Sequence, residues 1–335
     1  MRSSRTLALA VMLLVATAAC GGAADANPSA QHAHPNAITT SAPSIALVQT
    51  TPGIAAVAAT TDTVVWSARN AVAAPDGSAV FSTDDTGLLT ELDPHTGATI
   101  HSWPVPRGVA PVVVSPAGIV VALSDRPTGY DSEAQPRLTT HLVVLGGLSG
   151  AISRDLMLSG DVEPEAFSLD HNSLFVLYHR GDHYRVQSLD LASGERSDLI
   201  DRDKNPSEDM RGRAVHGVLS SDRQQLATLY INPDNPMEPA FVHVLNLNGW
   251  SYCVDLPDEF AQGPARSQSI ERTADDHAIV RAPAIGRRAE FSLADVSDGQ
   301  TVKAATQPST QAAVDAPYRA VDGFVALIAV IPPRV

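Results

Sequence analysis

One turn recurs along the chain at intervals close to 50 residues, and it constrains the fold more than any other feature of the sequence. In its clearest copy, Asp93-Pro94-His95-Thr96-Gly97 separates two short apolar runs. Proline presets the φ angle of a turn and glycine accepts a positive φ at its end, so this pattern predicts a β-hairpin. Comparable turns lie at 147–150, 190–194, 246–249 and 295–299, and counted from Gly97 the closing glycines are 53, 44, 55 and 50 residues apart.

A second turn signal follows the same rhythm. Ala74-Pro75-Asp76-Gly77 and Ser115-Pro116-Ala117-Gly118 each precede a short apolar strand, and weaker copies occupy 168–178, 220–230, 273–282 and 321–330. A repeat near 50 residues with four strand-sized segments is typical of a β-propeller, whose blades pack around a central channel. The sequence therefore predicts an all-β fold with five fuller units at 64–105, 109–158, 163–200, 214–256 and 268–304.

The two ends of the repeat region predict how the ring closes. Residues 45–57 read as an outer half-blade, and residues 318–330 read as an inner hairpin without an outer half. Pairing N- and C-terminal strands would complete one blade and remove an open sheet edge. We therefore expect six blades, with seven as the alternative.

The N-terminus predicts export and a lipid anchor. Arg2 and Arg5 precede the apolar run 7–15, and Ala16-Thr17-Ala18-Ala19-Cys20 supplies small residues followed by cysteine. The run is too short for a membrane span, so residues 1–19 read as a signal peptide. The site resembles the lipobox of bacterial lipoproteins, which implies acylation of Cys20 and a place on the outer leaflet of the cell membrane. The alternative is ordinary secretion with an incidental Cys20.

Two regions follow the predicted cleavage point. Residues 20–43, rich in Ala, Pro, Ser, Thr and Asn, predict a flexible tether, and 44–335 the propeller domain. With Cys20 acylated, Cys253 has no disulfide partner, and its apolar surroundings predict a small buried side chain.

The first unit carries a resemblance to a known family. Ala74-Pro75-Asp76-Gly77 and Asp93-Pro94-His95-Thr96-Gly97 resemble the repeat of YncE-like (YVTN-type) propellers. Residues 241–257 are also similar to segments of exported actinobacterial propeller proteins. The resemblance implies a propeller fold and export, and it leaves the activity open because propellers host many functions.

Charge limits the partners. The chain has 23 basic and 37 acidic residues and a net charge of −14, which argues against nucleic acid and against electrostatic adhesion to anionic lipid. We expect a monomer that touches the membrane only through its lipid anchor.

Long loops are predicted on one face of the propeller, at 125–140, 179–185, 201–213, 232–239, 258–268 and 306–317. Loops held by a rigid sheet commonly carry binding sites. An envelope protein or small ligand is expected to contact this face through Arg126, Tyr130, His179, His183 and Arg287, with Asp131 and Asp182 as ion ligands. The polar stretch 179–185 also reads as a tight hairpin turn around Gly181, and this interpretation is favoured over acid–base or metal chemistry.

Two classes of function remain open. The favoured one is a binding or scaffold module without catalytic residues or a cofactor. The other is a propeller enzyme, a metal-dependent hydrolase or lactonase, because propeller lactonases hold a divalent cation with oxygen ligands, the kind that Ca²⁺ prefers. Metal content after purification without chelator would distinguish them.

Overall fold

The computed structural model describes residues 44–50, 52–125, 137–146, 149–181, 183–201, 209–232, 235, 237–262, 268–293, 305–306 and 324–333. The regular secondary structure within these residues is almost entirely β-strand, with short 3₁₀ helices at Asp258–Gln262 and Pro283–Ile285. The strands are β1 (Ile45–Thr50), β2 (Gly53–Ala58), β3 (Val64–Arg69), β4 (Ala71–Ala73), β5 (Val80–Thr83), β6 (Leu88–Leu92), β7 (Thr99–Pro104), β8 (Ala110–Val114), β9 (Val120–Ser124), β10 (Thr139–Gly146), β11 (Ala151–Ser159), β12 (Asp161–Phe167), β13 (Ser173–Arg180), β14 (His183–Asp190), β15 (Arg196–Asp198), β16 (Ile200–Asp201), β17 (Met210–Arg211), β18 (Arg213–Leu219), β19 (Gln225–Ile231), β20 (Phe241–Asn246), β21 (Trp250–Asp255), β22 (Ser269–Arg272), β23 (His277–Ala282), β24 (Arg287–Ser292), β25 (Ala305–Thr306) and β26 (Phe324–Ile331).

The strands form six small sheets, which are the blades of a propeller. Blade 1 has the order β26-β1-β2-β3, blade 2 is β4 to β7, and blade 3 is β8 to β11. Blade 4 is β12 to β15 with β17 added, blade 5 is β18 to β21 with β16 added, and blade 6 is β22 to β25. The predicted six-bladed, all-β propeller is confirmed.

Blade 1 closes the ring with strands from both ends of the chain. Strand β1 pairs antiparallel with β26, from Ile45 opposite Ile331 to Thr50 opposite Phe324. Closure is confirmed, but the predicted division of the blade was wrong, because the N-terminal region supplies three strands and β26 alone comes from the described C-terminal residues. Residues 318–323 lie outside the described part of the chain.

Strand β3 explains the difference. The backbone amide of Ala58 donates to the carbonyl of Thr63 (2.9 Å), so a tight turn folds β3 directly back onto β2. Asn70, with a φ of 46°, then turns the chain into blade 2. The predicted unit 64–105 therefore begins at Ala71, since residues 64–69 belong to blade 1.

The hairpin turn that the sequence predicts at Asp93–Gly97 is present in the structure. The Asp93 carboxylate accepts from the backbone amides of His95 (2.9 Å) and Thr96 (3.0 Å), and Gly97 has a φ of 70°. A Cβ at Gly97 would lie 2.7 Å from Trp66 Cγ, so this turn also needs glycine for space. The turn at 190–194 repeats the pattern, whereas 295–299 falls outside the described residues.

The hydrophobic core is divided among the blade interfaces. Five clusters of buried side chains each join two neighbouring blades: 1 with 2, 2 with 3, 3 with 4, 4 with 5, and 5 with 6. In each cluster, the apolar side chains of one sheet are buried by contact with the neighbouring sheet. A blade taken alone would expose that surface, so the stability of each blade depends on its neighbours.

Two short strands cross between blades 4 and 5 in a region that was predicted as loop 201–213. Strand β16 pairs parallel to β21 on the outer edge of blade 5, with Ile200 opposite Trp250. Strand β17 returns to blade 4 and pairs antiparallel with the start of β14. Backbone hydrogen bonds thus tie these two blades together in addition to side-chain packing.

The alternating strand directions place the connections on two faces. The four main strands of each blade are antiparallel to their neighbours, and only the added β16 is parallel to the strand it pairs with among the described strands. Turns joining the first and second or the third and fourth main strands therefore share one face. The connections between second and third strands and between blades share the other, which we call the loop face. The described ends of the predicted long loops lie there. Residues 179–185 are not a long loop, because β13 extends to Arg180 and β14 begins at His183. The tight hairpin turn that the sequence favoured for this stretch is confirmed.

Candidate binding site between blades 4 and 5

The loop face carries a pocket at the junction of blades 4 and 5. Its volume is about 800 Å³, within the usual range for ligand sites. We call it the acidic pocket, and its lining residues are His183, Asp209, Met210, Arg211, Glu238, Pro239, Phe241, Asp255, Leu256 and Asp258.

Carboxylates outnumber cations among the described residues of this lining. The Asp209 carboxylate is held by Arg185, whose Nη2 lies 2.7 Å from Asp209 Oδ1, and Glu238 accepts from Asn232 Nδ2 at 2.6 Å. Asp255 and Asp258 are exposed, and neither has an ion-pair partner in the described part of the chain. The pocket therefore presents two carboxylates that can accept hydrogen bonds from a ligand.

The crossing strand β17 forms one wall and fixes its polar groups. Its pairing sets Arg211 opposite His183 and Met210 opposite Tyr184. Arg211 Nε donates to His183 Nε2 over 2.7 Å. This contact joins the β17 wall to the start of β14.

An aromatic stack runs inward from the pocket wall. Phe241 stacks on Tyr230 with ring centroids 5.3 Å apart and an interplanar angle of 8°, and Tyr230 stacks on Tyr184 at 5.3 Å and 28°. His179 follows at 5.7 Å from Tyr184. Because Tyr184 and Tyr230 are almost completely buried, they form a rigid support behind Phe241.

The stack ends at two glutamates on β12, the inner strand of blade 4. His179 Nε2 lies 3.0 Å from Glu163 Oε2 inside the interface. Tyr230 donates its hydroxyl hydrogen to Glu165 Oε1 over 3.3 Å. A β-bulge between Pro164 and Ala166 leaves Glu165 outside the strand pairing.

Glu165 is an unusual buried acid. Although the residue retains some exposed surface, its Oε2 atom is inaccessible to solvent. Burial raises the pKa of Glu165 to about 7, and the nearby charge of Glu163 acts in the same direction, whereas the hydroxyls of Tyr230 and Thr228 lower it. Burial likewise raises the pKa values of Tyr184 and Tyr230. Glu165 therefore holds its proton at pH values below about 7 and loses it above.

The structure separates the binding residues expected from the sequence. His183 lines the acidic pocket, and His179 is buried beneath it rather than on a loop surface. Arg287, on blade 6, forms an ion pair of 3.5 Å with Glu259, the residue after Asp258 of the pocket. Arg126, Tyr130, Asp131 and Asp182 lie outside the described residues.

Sequence reasoning missed the carboxylates of the pocket and its aromatic wall. Asp255 ends a strand-like stretch, and Asp258 opens a predicted long loop. Their position at a strand end on the loop face was a usable signal. The sequence could not predict that Met210 and Arg211 line the pocket, because their position depends on the pairing of β17 with β14.

The remaining sequence predictions concern Cys253, metal binding and membrane spans. Cys253 is buried, as predicted, with its Sγ 4.0 Å from Met210 Sδ. No group of three or more His, Cys, Asp or Glu side chains there is placed to hold a metal ion. In the same part of the chain, no helix combines the length and apolar character needed to cross a membrane.

Comparisons with known proteins give structural likenesses only. No family model and no curated protein matches the chain. It is similar to TolB from Acinetobacter baumannii, with 15% identity over 74% of this chain and 60% of that one and a TM-score of 0.41. It is also similar to a putative TolB from Agrobacterium tumefaciens, with 15% identity over 78% of this chain and 88% of that one and a TM-score of 0.43. A third similar structure is that of the WD40 repeats of RRP9, with 16% identity over 67% of this chain and 60% of that one and a TM-score of 0.38.

The chain thus spans three fifths of the length of two of these structures. Likenesses at this level say nothing about activity. The assignment of a propeller rests on the six sheets themselves.

Proposed function

We propose that the protein is an extracytoplasmic binding module, tethered to the membrane through acylated Cys20, that holds a basic segment of a partner protein in the acidic pocket. The observation that carries this proposal is the pocket on the loop face, where Asp255 and Asp258 are exposed beside the aromatic wall of Phe241.

The charges favour a cationic ligand. Among the described lining residues, Arg211 is the single arginine or lysine, its Nε donates to His183, and four residues carry carboxylates. A lysine or arginine side chain entering the pocket would meet carboxylates and an aromatic ring, both of which attract cations. An acidic or phosphorylated segment would be repelled by the same groups.

The binding surface is also pre-ordered. The stack behind Phe241 and the strand pairing of β17 hold the wall before a ligand arrives. Little side-chain entropy would then be lost on binding, which favours affinity. Such a pocket suits a module that captures a segment of another protein.

The pocket proposal is tested with fluorescence anisotropy of a labelled arginine- and lysine-containing peptide. Asp255→Asn combined with Asp258→Asn should weaken binding about tenfold or more, since each lost charge-assisted hydrogen bond contributes roughly 1 kcal/mol or more. Asp62→Asn combined with Asp85→Asn is the matched control, because both are exposed aspartates outside the pocket lining. Equal affinity of the two double variants would contradict the proposal.

The anchor is tested separately. Detergent phase separation of cell extracts should move the wild-type protein into the detergent phase and leave Cys20→Ala in the aqueous phase, because an acyl chain adds about 0.8 kcal/mol of membrane affinity per buried methylene group. If both proteins stay in the aqueous phase, the chain is not a lipoprotein.

A further inference from the structure

A second pocket, with the opposite charge, lies between blades 3 and 4. Its volume is about 540 Å³. We call it the arginine pocket, and its lining residues are Met157, Leu158, Ser159, Tyr178, Arg180, Gln187, Gly194 and Arg196. In a chain of net charge −14, the described residues of this lining include two arginines and no carboxylate.

Both arginines lie against one aromatic ring. The guanidinium carbon of Arg196 is 4.4 Å from the ring centroid of Tyr178, and that of Arg180 is 5.0 Å away. Neither arginine has a carboxylate within ion-pair distance in the described part of the chain. Two like charges without a counter-ion repel one another, and an anion between them would remove that cost.

A buried donor adds to this argument. Arg196 donates from Nη2 to the carbonyl of Ser159 at 3.0 Å, which fixes the guanidinium in place. Its Nη1 is inaccessible to solvent and has no acceptor among the described residues. Such a group normally finds a hydrogen-bond partner, because burying it without one costs free energy.

Gln187 provides a hydrogen-bond acceptor, Oε1, in the same pocket. Its Nε2 donates to Asp198 Oδ1 over 2.8 Å, and Asp198 Oδ2 is 3.2 Å from Arg185 Nη1. The contact with a carboxylate fixes which end of the amide faces Asp198, since only the NH₂ end can donate. The other end, Oε1, is buried without a donor among the described residues.

We propose that the arginine pocket binds a small hydroxylated oxyanion, whose phosphate or carboxylate group contacts Arg180 and Arg196 and whose hydroxyl donates to Gln187 Oε1. Arginine suits phosphate and carboxylate because its planar group can donate two parallel hydrogen bonds. Tyr178 and Met157 give the body of the ligand an apolar surface. This site is independent of the acidic pocket, with which it shares no lining residue.

The probes are chosen to separate the parts of this ligand. Isothermal titration of the full-length protein would use glycerol phosphate, inorganic phosphate, gluconate and glycerol. We expect glycerol phosphate or gluconate to bind, inorganic phosphate to bind more weakly, and glycerol not to bind. The tighter of the first two identifies the oxyanion as phosphate or carboxylate. Failure of all the anions to bind in the millimolar range would overturn the proposal.

Variants then place the ligand in the pocket. Arg196→Gln and Arg180→Gln should each weaken oxyanion binding about tenfold or more, as expected for the loss of a hydrogen bond between charged groups. Arg107→Gln is the matched control, because it removes an exposed positive charge from another blade. Arg180 is exposed, so its variant should fold even if Arg196→Gln does not. Equal affinity of Arg180→Gln and Arg107→Gln would overturn the proposal.

The hydroxyl contact has its own test. Gln187→Met keeps the length of the side chain and removes the buried acceptor. It should abolish the preference for glycerol phosphate over inorganic phosphate, while inorganic phosphate still binds. If the preference is unchanged, Gln187 does not contact the ligand hydroxyl and that part of the proposal is wrong.

Discussion

The two sides of blade 4 carry pockets of opposite character. Toward blade 5 the acidic pocket has exposed carboxylates above a buried aromatic stack, and toward blade 3 the arginine pocket has two guanidinium groups on one half-buried tyrosine. The same hairpin, β13 and β14, contributes to both. Successive side chains of a strand point to opposite faces of its sheet, so Tyr178 packs toward blade 3 while His179 packs toward blade 5.

This contrast shows that the two faces of one propeller blade can line pockets of opposite charge. The rigid interface with blade 5 is built from buried Tyr184 and Tyr230, tied by the crossing strands β16 and β17. The described strands show no such crossing between blades 3 and 4. We therefore expect changes in the first interface to affect stability more than matching changes in the second.

The largest expected effect comes from removing a tyrosine on each side. Tyr230→Ala should lower the free energy of unfolding by about 3 to 5 kcal/mol, because it empties a fully buried site in the middle of the stack. Tyr178→Ala should cost about 1 to 3 kcal/mol, since that ring is only half-buried. Urea unfolding of both variants gives the comparison, and equal losses would show that the two interfaces contribute alike.

The next largest effect is a dependence of stability on pH, which arises from Glu165 in the interface between blades 4 and 5. The pKa of Glu165 rises from an ordinary value of 4.5 to about 7 on folding, so the folded state binds the proton more tightly. This contribution is complete below about pH 4.5 and is lost as the pH rises through 7, with a total of about 3 kcal/mol.

Glu165→Gln should remove this dependence. Its free energy of unfolding should exceed that of the wild-type protein at pH 8 and approach it near pH 5. The groups facing Glu165 include Glu163, Tyr184 and Tyr230, and all three remain in the variant. Parallel curves of unfolding free energy against pH for the two proteins would show that Glu165 does not titrate in this range.

A smaller effect is expected from one glycine behind the arginine pocket. Gly160 has a φ of 92°, and a Cβ there would lie 2.4 Å from Tyr178 Cε2. Gly160→Ala should therefore cost about 1 to 2 kcal/mol through backbone strain and displace the ring that supports both arginines. Oxyanion binding should weaken while peptide binding at the acidic pocket is retained. Gly181→Ala is the control for a positive φ without a clash.

Much of the fold could be predicted because turn chemistry is local. Asp93 and Gly97 act within five residues, so a repeat of such turns reveals the number of hairpins. The crossing of β16 and β17 and the assignment of β3 to blade 1 depend on pairing with distant strands. Nothing in the local sequence marks those choices.

The candidate sites were less predictable for the same reason. His183 was found because the polar stretch 179–185 is dense in charge, yet its partner Arg211 lies 28 positions away in sequence. The same stretch concealed that His179 is buried against Glu163. Arg180 lies in the same stretch, but Arg196 was not singled out, because only the fold places both arginines on Tyr178.

The most direct test of the two-pocket account is a crossed titration. The basic peptide and the oxyanion that binds best, glycerol phosphate or gluconate, would be titrated into three proteins: the wild-type protein, the combined Asp255→Asn and Asp258→Asn variant, and Arg180→Gln. We predict that the aspartate variant loses affinity for the peptide alone and that Arg180→Gln loses affinity for the oxyanion alone. If either variant weakens both ligands equally, or neither, the two sides of blade 4 are not separate sites of opposite preference.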